Sequence, residues 1–106
     1  MSSLSTHVLD ATRGAPATEV RVLLFDAAGT ELASAVTDAD GRIAGLGGEL
    51  AAGLYRLRFD TGPYFAGQGM ETFYPEVTVA FTIAEPRHYH VPILLSPFAY
   101  STYRGS

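Results

Sequence analysis

The chain has 106 residues, 47% of them hydrophobic, with eleven acidic residues against seven basic ones and a formal net charge of −4. That length supports one hydrophobic core and no second, and an acidic balance without a basic stripe argues against a nucleic-acid partner. There is no cysteine, which excludes disulfides, thiolate nucleophiles and thiolate-held metals and suits a reducing cytosol.

Met1-Ser2-Ser3-Leu4 lacks the basic and apolar regions of a signal peptide. No apolar run is long enough to span a bilayer, so the expectation is a soluble cytoplasmic protein. Leu4 to Leu9 predicts the first strand. Val20 to Phe25 is a more apolar strand ended by the turn Asp26-Ala27-Ala28-Gly29, and Glu31 to Thr37 is the next, closed by Asp38-Ala39-Asp40-Gly41. Leu54 to Asp60 alternates Tyr55, Leu57 and Phe59 against Arg56, Arg58 and Asp60. That alternation marks a half-buried antiparallel strand whose arginines face solvent. Pro63 to Gly69 breaks the period and predicts a short helix, with Thr61 as cap and Gly69 as stop. Glu76 to Ile83, His88 to Leu95 and Phe98 to Tyr103 complete the strands. Seven or eight short strands with frequent turns indicate an all-β, two-sheet sandwich in one domain, residues 1–106.

Strand parity gathers the polar chemistry. Ser5, His7 and Leu9 share one face of the first strand. In the strand from His88, the set Tyr89, Val91, Ile93 and Leu95 is the more apolar and belongs in the core, which turns His88 and His90 outward. Ser101 and Tyr103 share a face of the last strand, and Arg42 follows the Asp40-Gly41 turn closely enough to reach the same surface. His88-Tyr89-His90 has the spacing for two imidazoles to chelate zinc, but no carboxylate or cysteine completes a set. Ser5 and Ser106 are not nucleophile-elbow serines, because Gly-x-Ser-x-Gly is absent. The chain ends in Tyr103-Arg104-Gly105-Ser106, a phenol, a guanidinium and a hydroxyl where terminal residues usually fray.

Four segments carry a family likeness: Leu4-Ser5-Thr6-His7-Val8-Leu9-Asp10, Thr37 to Arg42, His88 to Pro97, and Tyr103-Arg104-Gly105-Ser106. In these the chain resembles the transthyretin-like 5-hydroxyisourate hydrolases over essentially its whole length. The resemblance implies an eight-stranded transthyretin-like sandwich with one short helix, assembled as a homotetramer with sites at subunit interfaces. It implies hydrolysis of 5-hydroxyisourate to 2-oxo-4-hydroxy-4-carboxy-5-ureidoimidazoline in urate degradation, with no cofactor. Carried onto this chain, the catalytic set is His7, Arg42 and His90, and the substrate pocket takes His7, Arg42, Tyr103 and Ser106. With no thiol or elbow serine, direct attack by activated water is the economical route, a histidine serving as base and guanidinium stabilising charge. Which histidine is the base stays open at this point. The alternatives are a non-catalytic carrier of a small aromatic ligand, as transthyretin is, and a structural adhesion module, which needs no histidines on an exposed face.

Overall fold

Alternating patterning becomes two packed sheets in the computed structural model, which describes residues 1–106. The strands are β1 (Ser3–Asp10), β2 (Ala15–Pro16), β3 (Arg21–Asp26), β4 (Glu31–Val36), β5 (Arg42–Ile43), β6 (Gly53–Phe59), β7 (Val77–Ile83), β8 (His88–Ser96) and β9 (Ala99–Thr102), with a helix α1 (Thr61–Ala66) between β6 and β7. One sheet runs β2-β1-β8-β9 with β5 also on β1, and the other runs β4-β3-β6-β7. No helix is long and apolar enough to cross a membrane.

The expected parity holds. Leu4, Val8, Tyr89, Val91, Ile93 and Leu95 point inward against Val22, Leu24, Leu57 and Phe59 of the facing sheet, in a core cluster of 19 residues. Polar groups that fall on the inner face are all bonded: Thr6 Oγ1 donates to the Val91 carbonyl at 2.7 Å. Asp10, 1% exposed, accepts from the amides of Thr12 and Arg13 and from the Tyr64 hydroxyl at 2.6 Å. That contact ties α1 to the end of β1. Burial first, and the bond to Asp10 next, push the Tyr64 phenol above its ordinary pKa, so it remains a donor.

Several expectations are corrected. The helix begins two residues early and stops at Ala66, short of Gly69, and Thr61 is not its cap. The Thr61 hydroxyl donates instead to the Tyr74 carbonyl at 2.7 Å, and the residue at the cap position, Asp60, accepts from Arg58 Nε at 3.1 Å. Arg58 is thus anchored rather than freely solvated, its guanidinium lying 5.5 Å from the Phe25 ring centroid. β2 and β5, two residues each, were too short to leave a period. The sandwich is also not wholly antiparallel: β1 and β8 run parallel from Ser3↔His88 to Asp10↔Leu95. No hairpin joins these two strands, so nothing local dictates their direction.

Candidate active site

Two ladders set the sequence-predicted residues side by side. The parallel register faces Ser3 with His88 and Ser5 with His90, and the antiparallel register of β1 with β5 faces His7 with Arg42. Their sequence neighbours are buried, so all of these side chains lie on the outer face of the sheet. His7, Arg42 and His90 come from three strands and occupy one patch, with His90 one alternation along β1 from the His7–Arg42 pair.

His7 has a defined tautomer. Its Nε2 lies 2.9 Å from the Asp40 carbonyl oxygen. A carbonyl can only accept, so Nε2 carries the hydrogen and the neutral ring keeps its lone pair on Nδ1. The turn that presents this carbonyl is itself fixed. Asp38 Oδ1 accepts the amides of Asp40 at 2.9 Å and Arg42 at 3.0 Å. The Arg42 amide, then the Asp40 amide, hold the Asp38 carboxyl below the usual carboxylate range. Gly41 has φ of +73°, and a Cβ there would collide with the Val8 carbonyl oxygen. The glycine is therefore required by both backbone conformation and space.

His90 is held differently. Its Nδ1 lies 2.7 Å from Ser5 Oγ, a hydroxyl that can donate or accept. The same oxygen lies 2.8 Å from His88 Nε2, and His88 Nδ1 lies 2.7 Å from Ser3 Oγ. From the other side the chain end packs on the ring. The Gly105 amide donates to the His90 carbonyl at 2.8 Å, and a Cβ at position 105 would stand 2.5 Å from His90 Cδ2. Partial burial first, then the positive Arg42 and the neighbouring histidines, lower the His90 pKa from its ordinary 6.5. The ring is thus neutral at neutral pH.

The terminal residues divide. Tyr103, 57% exposed, joins Arg104 and His90 around a cleft of about 390 Å³ that opens between β7 and the β8–β9 edge. His7 and Arg42 are outside this cleft; they lie on the open sheet face. Ser106 is exposed and makes no hydrogen bond within the chain. No group of three or more His, Cys, Asp or Glu side chains is arranged to hold a metal ion. Sequence reasoning gave no role to Ser3 or the Asp40 carbonyl, took Gly105 only as part of the terminal motif, and placed Ser5 on the His7 face without pairing it to a histidine. Period-two spacing of Ser3, Ser5 and His7 was the available signal, but it means little until the β8 register is known.

The family model described as HIUase/Transthyretin family matches residues 4–105. A 5-hydroxyisourate hydrolase of Salmonella dublin is 50% identical over 109 residues, covering 97% of this chain and 80% of the relative. Among solved structures, 5-hydroxyisourate hydrolase of Klebsiella pneumoniae superposes with a TM-score of 0.94 at 46% identity, covering both chains entirely. Sea bream transthyretin, solved in complex with thyroxine, gives 0.90 at 40% identity over 97% of this chain and 94% of that one.

Proposed function

The chain belongs to the HIUase/Transthyretin family, and from that membership we propose how its outer sheet face works as an enzyme. The reaction is the hydrolysis of 5-hydroxyisourate, the activity named for its relatives. The observation that carries the mechanism is the tautomer of His7. With Nε2–H spent on the Asp40 carbonyl, the Nδ1 lone pair is the group that takes a proton from water as it adds to a ring carbonyl. Arg42, across the ladder from His7, orients the substrate's oxygens and stabilises the charge that develops on them. His90, neutral because its pKa is depressed, exchanges a proton with the ring nitrogen as the ring opens. Tyr103 and Ser106 close the pocket. We read residues 1–106 as one domain, and the cysteine-free composition leads us to assign it to the cytoplasm.

An open sheet face is a poor place for water-excluding chemistry. We therefore propose that the working form is a homotetramer in which a second chain covers this face, bringing terminal residues of both chains around each site. The likeness to a transthyretin raises carriage of a small aromatic ligand as a second reading, which the titratable pairing of His7 with Arg42 does not require and therefore disfavours. The test adds the protein to freshly generated 5-hydroxyisourate and follows its ultraviolet decay. Accelerated decay is expected. An unchanged rate with tight binding of a planar aromatic would establish the carrier instead.

A further inference from the structure

Four side chains on the outer face form one unbroken file: His90 Nδ1 to Ser5 Oγ at 2.7 Å, Ser5 Oγ to His88 Nε2 at 2.8 Å, and His88 Nδ1 to Ser3 Oγ at 2.7 Å. We propose that Ser5, His88 and Ser3 are a proton relay that connects the inner nitrogen of His90 to solvent and resets that histidine between its base and acid forms. A hydroxyl carries one mobile hydrogen and two acceptor lone pairs, and a neutral imidazole carries one hydrogen and one acceptor nitrogen. The file can therefore be bonded from end to end with every donor running in the same sense, and there are two such senses. In the first, His90 Nδ1–H donates to Ser5, Ser5 donates to His88 Nε2, and His88 Nδ1–H donates to Ser3, leaving the His90 Nε2 lone pair free as a base. In the second, every hydrogen bond is reversed, and His90 carries its hydrogen on Nε2 as an acid. Converting the first into the second takes a proton on at His90 Nε2, moves one hydrogen across each bond, and releases a proton from Ser3 Oγ. One proton enters, one leaves, and no net charge remains on the file.

Three features favour this over a merely positioning role. His88 is exposed, so the far end of the file meets water, whereas His90 is half-buried and lies under Gly105. His90 faces groups that oppose a standing imidazolium, Arg42 and His7 from β5 and β1 and His88 on its own strand, while Arg104 and Glu85 are the charged residues lining the neighbouring cleft. A proton arriving at Nε2 is thus better passed on than stored. By contrast, the His7 partner is a carbonyl, which cannot pass a proton along.

This inference rests on the hydrolytic reading, and the experiment separates the two. His88→Gln keeps a hydrogen-bonding side chain next to Ser5 but cannot shuttle a proton, and Ser5→Ala cuts the file beside His90. Both variants are expected to lose about tenfold or more in kcat with KM little changed, less than the full 10²–10⁴-fold of a proton-transfer group because His90 itself remains. In His88→Gln, kcat should recover as the concentration of imidazole buffer is raised, and Ser5→Thr should restore the rate without buffer. A role confined to orienting His90 predicts a silent His88→Gln and no buffer dependence, and that result overturns the relay. Ring-nitrogen NMR of the parent provides a check independent of turnover. His88 and His90 should show coupled averaging between tautomers that Ser5→Ala abolishes, while His7 stays fixed as the Nε2–H form; uncoupled, single tautomers at His88 and His90 would also overturn it. A parent that leaves 5-hydroxyisourate decay unchanged sinks the hydrolytic reading itself.

Discussion

The two faces of the β1–β8 pair use the same kinds of polar group to opposite ends. On the inner face each donor meets one partner and has no other choice: Thr6 with the Val91 carbonyl, and Tyr64 with the Asp10 carboxylate. On the outer face serine hydroxyls meet imidazoles, and every bond in the file from Ser3 to His90 can run in either direction. Inward bonds fix the fold because an unpaired buried group is expensive. Outward bonds remain reversible because water is at hand for whatever they release. The contrast teaches that the residue alternation of one pair of strands separates stability from the proposed chemistry, one residue step of about 3.3 Å being all that lies between them along a strand.

The comparison can be broken first on the outer face. His90→Asn should lower turnover by about a hundredfold or more while the thermal unfolding midpoint stays near that of the parent, since acid–base groups contribute about 10²–10⁴-fold. Loss of the fold in that variant would erase the distinction between the faces. Arg42→Lys keeps the charge and loses the planar fork. Its kcat/KM should fall by about tenfold or more, and full activity would reduce Arg42 to a diffuse positive charge. The inner face gives the converse result. Tyr64→Phe leaves Asp10 Oδ2 without its donor and should lose about 1–3 kcal/mol of stability in denaturant titrations, with kcat unchanged; a parental stability would show that Asp10 does not need the phenol.

The smallest effect sharpens the contrast through pH. His90 has a folded pKa below its ordinary 6.5, so in the interval between the two values the unfolded chain binds more protons than the folded one. Stability is therefore at its plateau above about pH 6.5 and declines as pH falls toward the folded value. Followed by ring-proton NMR, His90 should likewise titrate below the ordinary histidine range, and titration above it would contradict a neutral His90.

Much of this was legible in the sequence, for a physical reason. Alternation in Leu54 to Asp60 and in His88 to Leu95 reports which side chains a sheet buries, so it placed His7, His88 and His90 outward without any knowledge of the partner strands. The helix was displaced because Thr61 and Asp60 have better tertiary partners than the cap, Tyr74 and Arg58. The parallel β1–β8 ladder and the two short strands flanking β1 depend on pairings across the whole chain, which no local pattern encodes. The Ser3–His88–Ser5–His90 file inherits that blindness, since only the register brings residues more than eighty positions apart into contact.

His7 carries the claim that the outer face is the catalytic one, and it is tested by following the ultraviolet decay of freshly generated 5-hydroxyisourate with the parent chain and with His7→Asn side by side. The parent should accelerate decay, and His7→Asn, folded to the same midpoint, should fall by about a hundredfold or more, close to the spontaneous rate. Parental acceleration by His7→Asn would contradict the assignment and move the chemistry off this face.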